Sequence, residues 1–339
     1  MLIASGAGLP TTVEELISPE LAAKIDRLDV ASRKLLSGKL PGERRSKRRG
    51  RSVEFDDFRP YSAGDDLRHI DWNVYARLDR LVIKLFREEE DLALHVLVDA
   101  SASMDAGSPS KLAYALRLGF ALAYIGLINQ NRVSVGLFGL PESLGGSQTR
   151  GGLAELRPMR GRRSIRPMGE FLLRATQRRT ATSSIAGAAN DFAAACRGFA
   201  QGRAGRGIMV VISDLLAPTD EKNATGCDAG FAYLGAATSG GAFDAHAVQV
   251  LSPAEIDPAR ERSKGLLGDL RLTDAETGQA AEVTVTPETI RTYTNAFERY
   301  TSMVRASCAA RGVAYTRVET TSPLDGLILG TLRRGGLLR

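Results

Sequence analysis

From residue 92 to the carboxyl terminus, short apolar runs alternate with longer stretches that have helical spacing. Residues 92–98 form an apolar run of strand length, and residues 111–128 follow as a helix. Further buried strands are predicted at residues 132–138, 208–213, 245–251 and 313–318. Further helices are predicted at residues 167–176, 185–199, 220–234, 287–311 and after residue 322. This alternation is typical of an α/β fold with a doubly wound, mostly parallel sheet of the Rossmann type, covered by helices on both faces.

The chain before residue 92 has a different pattern. Ser18, Pro19 and Glu20 form a helix start, in which serine is the N-cap and proline occupies the first turn. Apolar residues then recur at helical spacing as far as Gly38, where a glycine typically ends a helix. The sequence therefore predicts an amphipathic helix with one face to bury.

The remaining patterns predict how the chain is divided. Residues 52–87 are mixed and rich in turns, which indicates a small accessory unit before the main domain. Residues 270–272 and 283–285, joined across 274–278, predict a hairpin inserted late in the main domain. We expect three parts, which are an N-terminal helical segment (1–40), an accessory unit (41–90) and the α/β domain (91–335).

The charge of the chain is concentrated in one loop. Among 339 residues the formal net charge is +6, and six basic residues lie close together at Arg44, Arg45, Lys47, Arg48, Arg49 and Arg51. We interpret residues 44–51 as a solvated loop or a docking patch for an acidic partner. Nucleic-acid binding is the alternative, although the run lacks interleaved aromatic residues that would stack on bases.

Cysteine usage and hydropathy bear on the compartment. The three cysteines, Cys196, Cys227 and Cys308, are widely spaced, which favours reduced thiols in a cytoplasmic protein. Residues 1–10 lack the pattern of a secretory signal. Residues 118–128 are the most apolar stretch, at roughly half of the ~20 residues that cross a bilayer. We expect a buried core helix there and no membrane span.

The residues that indicate chemistry follow the first predicted strand of the main domain. Asp99, Ser101 and Ser103 alternate with small residues immediately after the apolar run. In open α/β sheets, ligands bind outside the carboxyl ends of the strands. One carboxylate and two hydroxyls in a curled loop suit a hard cation, for which Mg²⁺ is the first candidate. Such an ion keeps positive charge and can take an acidic side chain of a partner as a further ligand.

Two more loops are predicted to reach the same point. Asp214 follows the apolar run at residues 208–212, in the position equivalent to Asp99. Residues 180–184 carry several hydroxyls before a predicted helix, so one can bind the ion while another caps the helix. We predict Ser183 or Thr182 as the ligand from this third loop.

These residues resemble a known kind of site. The Asp-x-Ser-x-Ser loop, the downstream hydroxyl and the strand-end Asp214 are similar to the metal ion-dependent adhesion site of von Willebrand factor A domains. Where that family and its relatives usually have Thr-Asp before the helix, this chain has Ser183 and Ser184. The resemblance implies a Mg²⁺-dependent adhesion or assembly module.

A second resemblance covers the chain from about Gly42 to its C-terminal end. Residues 55–77 are similar to the signature of the family catalogued as domain of unknown function 58. The signature positions are Arg59, Tyr61, Gly64, Asp65, Arg68, Asp71, Trp72 and Arg77. Members of that family are typically encoded near MoxR-type AAA+ ATPases, so the resemblance implies such a partner.

Other interpretations of these residues remain open. The signature is also explained by a structural salt-bridge cluster of Asp65, Asp66, Arg68 and Asp71 that docks the accessory unit, with Trp72 as packing. The alternative function is a metal-assisted phosphoester hydrolase, in which a hydrated Mg²⁺ beside two carboxylates activates water. We expect no enzyme, because the chain lacks a phosphate-binding loop, a Gly-x-Ser-x-Gly elbow and a convergent nucleophile.

Overall fold

The computed structural model describes residues 8–32, 53–88, 92–140, 149–150, 153–181, 192–201, 203, 206–217, 225–239, 243–259, 268–273 and 279–339. The chain divides into two compact units. One unit comprises Met1–Gly38 with Leu92–Arg339, and the other comprises Lys39–Asp91.

The strands and helices are numbered in chain order. The strands are β1 (Val53–Pro60), β2 (Val82–Glu88), β3 (Leu92–Asp99), β4 (Arg132–Phe138), β5 (Thr149–Arg150), β6 (Leu153–Glu155), β7 (Arg206–Ser213), β8 (Phe243–Leu251), β9 (Gly268–Thr273), β10 (Ala280–Val285) and β11 (Val313–Glu319). The helices are α1 (Val13–Leu16), α2 (Pro19–Ile25), α3 (Trp72–Leu78), α4 (Lys111–Ile128), α5 (Ile165–Ala181), α6 (Phe192–Ala200), α7 (Asp228–Ser239), α8 (Pro253–Ile256), α9 (Pro287–Ala310) and α10 (Leu324–Gly326), which passes into a π-helical turn (Leu327–Leu332).

The larger unit contains a mostly parallel sheet. Within the described ranges it has seven strands in the order β11-β8-β7-β3-β4-β6-β5. The first five are parallel to one another, and β6 runs antiparallel to both β4 and β5. The predicted α/β class with a mostly parallel sheet and flanking helices is therefore confirmed.

Helices cover both faces of this sheet, and alternate side chains of β3 enter two different cores. Leu94 and Val96 lie in one core with residues of α4 and α5. Ala93 and Leu97 lie in the other core with residues of α6 and α7. A strand buried on both faces carries apolar residues at successive positions, which explains the continuous apolar run in the sequence.

Helix α4 lies in the interior, as predicted. Gly119 and Gly126 face the sheet closely. An added Cβ would lie 2.8 Å from the Val98 side chain at Gly119 and 2.7 Å from the Val133 side chain at Gly126. In the part of the chain that the structure describes, α4 is the one helix long and apolar enough to cross a membrane by length and composition. Its apolar window is 83% buried inside the fold.

The N-terminal helix is shorter than predicted. Helix α2 ends at Ile25, whereas the sequence pattern continues to Gly38. Leu28 and Val30 are buried in the first core, and Val30 forms an antiparallel bridge with Leu338. Pairing with the C-terminal chain therefore replaces further helical turns, and residues 33–38 lie outside the described ranges.

One helix start in the main unit also differs from prediction. Helix α7 begins at Asp228 after non-helical residues 225–227, and the predicted start at residue 220 lies outside the described ranges. Its start is set by Asp228, whose Oδ2 accepts hydrogen bonds from the backbone N–H and the hydroxyl of Thr225. Helix α6 is described only from Phe192, because residues 182–191 lie outside the described ranges.

The predicted late hairpin is present. Strands β9 and β10 pair antiparallel, with Gly268 opposite Val285 and Thr273 opposite Ala280. Residues 274–278, predicted as its turn, lie outside the described ranges.

In the Lys39–Asp91 unit, strands β1 and β2 pair antiparallel. Arg59 forms an ion pair with the buried carboxylate of Asp65 at 2.7 Å. Asp65 also accepts the backbone N–H of Ser62, and Gly64 between them has φ +101°. These contacts close the turn that follows β1, so part of the signature is structural.

Asp71 holds the start of helix α3. Its Oδ1 accepts the backbone N–H groups of Asn73 and Val74, while Oδ2 pairs with Lys84 on β2 at 3.1 Å. The expected packing role of Trp72 is wrong within this unit, because its side chain is 60% exposed and contacts Tyr75 edge to face. At this helix start the N-cap Asp71 is the buried residue, and the next residue, Trp72, is turned to the surface.

The other signature residues lie at the surface or in the turn. Tyr61 donates its backbone N–H to Leu81 O at 2.9 Å, which continues the pairing beyond the strand ends. Arg68 and Arg77 are exposed. Of the predicted salt-bridge cluster, Asp65 pairs with Arg59 and Asp71 pairs with Lys84, whereas Asp66 accepts the backbone N–H of Arg68 at 3.0 Å.

Candidate metal centre

The loop that follows β3 brings three oxygen-bearing side chains together. Asp99 Oδ1 accepts the backbone N–H of Ser101 at 2.9 Å. The hydroxyl oxygens of Ser101 and Ser103 are 3.1 Å apart. A short 3₁₀ turn, Ala102–Asp105, then carries the chain towards α4. The predicted Asp-x-Ser-x-Ser loop is thus a compact turn at the carboxyl end of the central strand.

Glycines allow neighbouring loops to approach this turn. Gly139, directly after β4, has φ +74°, and an added Cβ would lie 2.7 Å from the backbone nitrogen of Ser101. Gly107 has φ +94°, and an added Cβ would lie 2.7 Å from Cβ of Ser252. The Ser101 turn is therefore packed against the end of β4, and the chain at Gly107 is packed against the end of β8, without room for larger residues at either glycine.

The end of β7 contacts the same turn directly. Val98 lies opposite Ile212 in the parallel register, so the two strands end side by side. Ser213 Oγ donates to Asp99 Oδ2 at 2.6 Å and accepts the backbone N–H of Leu215 at 2.9 Å. Leu215 is buried with φ +54°, a strained conformation for a residue with a branched side chain. This strain belongs to the turn that carries Asp214.

Asp99 is almost completely buried, at 1% exposure. Burial, and next the negative charge of Asp214, raise the pKa of Asp99 to about 7, against hydrogen bonds from Ser101 and Ser213 that lower it. Strands β3 and β7 end side by side, and Ser213 contacts Asp99. Asp99 and Asp214 therefore lie at the same edge of the sheet, as the strand directions predict.

The structure adds a buried cation that the sequence analysis missed. Lys111 is 0% exposed, and its Nζ donates to Asp214 Oδ2 at 2.8 Å and to Glu255 Oε1 at 2.5 Å. Burial lowers the pKa of Lys111, but the two carboxylates outweigh it and raise the pKa above its usual value. Lys111 is thus a charged ammonium at the edge of the candidate site.

Glu255 is held in place by its own turn. Its Oε2 accepts the backbone N–H and the hydroxyl of Ser252, which begins α8 directly after β8. The Tyr293 hydroxyl of α9 donates to the backbone oxygen of Glu255 at 2.9 Å. Three neighbouring strand ends, those of β3, β7 and β8, therefore supply the polar groups of this region.

A sequence signal for Lys111 exists. It is the first residue of an almost entirely apolar helix, next to the N-cap Ser110. A cation is unfavourable at a helix N-terminus, because the backbone N–H groups carry partial positive charge there. A lysine in that place indicates a specific acidic partner.

The predicted ligands of the third loop, Thr182 and Ser183, lie outside the described ranges, which end at Ala181 and resume at Phe192. Within the described ranges, no group of three or more His, Cys, Asp and Glu side chains is placed to hold a metal ion. Any cation here would depend on hydroxyl oxygens as well as on Asp99.

The molecule is thus a mixed α/β protein with a polar cluster at the carboxyl ends of its central parallel strands. The family model described as "Protein of unknown function DUF58" matches residues 57–305. The chain belongs to this family, which confirms the resemblance seen in the signature residues.

The relatives of the chain share most of its length. An uncharacterised protein of Mycobacterium bovis is 26% identical over 275 residues, which cover 80% of this chain and 76% of that protein. Uncharacterised proteins from two strains of Mycobacterium tuberculosis match with the same identity and coverage.

Two solved structures are also similar to the chain. An aerotolerance-related membrane protein from Bacteroides fragilis matches with 16% identity and a TM-score of 0.37, over 72% of this chain and 98% of that chain. The pilus adhesin SpaC from Lactobacillus rhamnosus matches with 10% identity and a TM-score of 0.35, over 74% of this chain and 32% of that chain. These low scores carry no argument about function.

Proposed function

We propose that this protein is a metal-dependent protein–protein interaction module with a von Willebrand factor A-like domain, and that it is not an enzyme. The module holds Mg²⁺, or another divalent cation, through oxygens of Asp99, Ser101 and Ser103. Asp214, which the sequence pattern predicts as a further ligand, pairs with Lys111 instead and is left out of the direct ligands. A hydroxyl of the third loop, from Ser183 or Thr182, adds a ligand. An acidic side chain of the partner completes the coordination.

The observation that carries this proposal is the spacing of the two serine hydroxyls. Mg²⁺ binds six oxygens at about 2.0–2.1 Å in an octahedron, so adjacent ligand oxygens lie about 2.9 Å apart. The Ser101 and Ser103 oxygens are 3.1 Å apart beside the carboxylate of Asp99. This spacing fits two adjacent positions around one ion.

The electrostatics of Asp99 support the same proposal. Its carboxylate is buried next to Asp214, and both effects disfavour its charge. A cation bound at the serine hydroxyls would favour the ionised carboxylate. With one carboxylate among its direct ligands the ion would keep positive charge, which favours an acidic group from another protein.

The properties of the Cys227 and Cys308 thiols and of His95 favour a binding role over a catalytic one. Burial raises the pKa of the Cys227 thiol well above its usual range and that of Cys308 to about 12, so neither is a ready nucleophile. His95 lies inside β3, with its Nδ1 2.6 Å from Ser134 Oγ. We therefore rank the phosphoester hydrolase below the interaction module.

We propose a MoxR-type AAA+ ATPase as the partner, in the maturation of a protein complex in the cytoplasm. This proposal rests on the family and on the candidate cation site. The basic residues 44–51 lie outside the described ranges, so the docking patch and the nucleic-acid alternative stay predictions.

The test uses Asp99→Ala, with the exposed Glu282→Ala as a control of equal charge change. Calorimetric titration with Mg²⁺ and co-purification with the MoxR-type ATPase from the same genome are measured for each protein. We expect Asp99→Ala to lose both, EDTA to mimic it, and Glu282→Ala to keep both. Co-purification that is unchanged in Asp99→Ala and in EDTA would overturn the proposal.

A further inference from the structure

Lys111 connects two loops that leave neighbouring strands. Asp214 follows β7, and Glu255 lies in α8 after β8, while Lys111 itself begins the helix that follows β3. Its side chain is 1% exposed and those of Asp214 and Glu255 are 3% and 12% exposed. A buried ammonium with two carboxylate partners at the end of a sheet has a high desolvation cost, since each of the three ions is removed from water.

Both carboxylate oxygens of Asp214 have partners. Oδ2 accepts from Lys111 Nζ at 2.8 Å, and Oδ1 accepts the backbone N–H of Leu216 at 3.1 Å. Asp99, in contrast, accepts from neutral donors, the backbone of Ser101 and the hydroxyl of Ser213. The two strand-end carboxylates are therefore not equivalent, because among the described residues a cation contacts Asp214 and none contacts Asp99.

We propose that Lys111 is a positioning residue. Its ammonium occupies the position at which a metal ion would contact Asp214, so Asp214 is not a direct ligand of the metal. The inference rests on the proposed function, since it assigns the roles of the two carboxylates in that site. The metal is held by Asp99 and the serine hydroxyls, and the Lys111 ammonium limits its affinity through repulsion.

A second consequence concerns the protein without metal. The ammonium of Lys111 compensates Asp214 and Glu255 internally, so these loops keep their arrangement when no divalent ion is bound. Removing the ammonium would leave two buried carboxylates without a counter-ion, and a divalent cation would then be the available replacement.

The test compares Lys111→Met with Lys24→Met. Lys24 forms a single ion pair with Asp325 at 2.9 Å, and its side chain is 53% exposed, so this control removes the same group from a solvated pair. Mg²⁺ affinity is measured by calorimetry, and the melting temperature is measured in EDTA and in Mg²⁺.

We expect Lys111→Met to bind Mg²⁺ at least about tenfold more tightly than the wild type, because ligand charge count sets affinity at oxygen sites. Its melting temperature should fall in EDTA and recover in Mg²⁺, whereas Lys24→Met keeps the wild-type affinity. Asp214→Asn added to Lys111→Met should abolish the gain in Mg²⁺ affinity. General structural damage would weaken metal binding, so a tighter complex separates positioning from a merely structural role.

The outcomes separate this inference from the proposed function. If the wild type binds Mg²⁺ and Lys111→Met binds it no more tightly, the inference is overturned and the proposed function stands. If the wild type does not bind Mg²⁺ but Lys111→Met does, the ion merely replaces the missing ammonium, and both the inference and the proposed function fail. If neither binds, both fail. Should Lys111→Met not fold in EDTA, the double variant Lys111→Met/Glu255→Gln, which leaves only Asp214 unpaired, undergoes the same comparison.

Discussion

Short polar side chains at the ends of β3 and β7 each contact more than one group. Asp99 accepts from the Ser101 backbone and from the Ser213 hydroxyl, and Ser213 also accepts the backbone N–H of Leu215. These bonds orient the Asp99 carboxylate and shape the turn at Asp214. The geometry of the candidate site therefore depends on small residues and on backbone conformations that admit little substitution.

Gly139 offers a test of that dependence. In Gly139→Ala, the new Cβ would lie 2.7 Å from the Ser101 nitrogen, at φ +74°. We expect a loss of more than about 1 kcal/mol of unfolding free energy from the left-handed backbone alone, and weaker Mg²⁺ binding because the Ser101 turn must move. Urea unfolding and calorimetry measure the two effects.

Gly326→Ala is the matched control for this change. Gly326 has φ −62°, and an added Cβ would meet nothing within 4 Å. We expect it to keep both stability and Mg²⁺ affinity. Equal behaviour of the two variants would show that the approach of Gly139 to Ser101 has no energetic role.

At the scale of elements, helix α9 connects two loops of the candidate site. The Tyr300 hydroxyl lies 2.7 Å from the backbone oxygens of both Leu215 and Thr225, and its single proton is shared between these two acceptors. Two helical turns earlier, the Tyr293 hydroxyl donates to the backbone oxygen of Glu255. A single helix on one face of the sheet thus holds the loops that carry Asp214 and Glu255.

Removing the Tyr300 hydroxyl should loosen this region. In Tyr300→Phe the two carbonyl oxygens lose that donor, and we expect a loss of about 1–3 kcal/mol in the free energy of unfolding. Hydrogen exchange at the Leu216 amide should become faster. Tyr293→Phe is the control, because that side chain is 40% exposed and water can replace its bond. A cost for Tyr300→Phe no larger than for Tyr293→Phe would contradict the tethering role.

At the scale of the whole molecule, the sheet separates two cores, and the second core contains a buried histidine. His95 is 3% exposed, and its ring contacts those of Phe199 and Phe243. Burial, and next the charges of Arg203 and Arg132, lower the pKa of His95 to about 3. His95 therefore remains neutral in the folded protein at pH values where the unfolded chain already binds a proton.

This difference makes the stability of the protein depend on pH. Below the unfolded pKa of about 6.5 the unfolded state binds more protons, so stability falls as the pH decreases towards 3, by up to about 1.4 kcal/mol per pH unit. We expect His95→Gln to remove the contribution of His95 to the slope of stability against pH between pH 6.5 and 4, and the exposed His69→Gln to keep it. The other groups contribute equally in all three proteins. Parallel curves of unfolding free energy against pH for the wild type and His95→Gln would therefore contradict the role of His95.

The sequence pattern alone determined the α/β class, most strands of the sheet and the position of Asp99 and Asp214 at one edge of that sheet. Apolar runs of strand length identify strands buried on both faces, and parallel strands place their carboxyl ends at one edge of a sheet. The signature at residues 55–77 was specific enough to indicate the family, which the family model confirms. These features are local, or follow from the direction of the strands.

The tertiary structure alone decided the contacts of Lys111, the end of helix α2 and the exposure of Trp72. Lys111 lies 103 residues from Asp214 and 144 from Glu255, and no local pattern links residues at that separation. Helix α2 stops early because a bridge to the C-terminal chain competes with the local helical pattern. Long-range packing selects among locally possible conformations and charge partners, so these features become visible only when the distant segments are brought together.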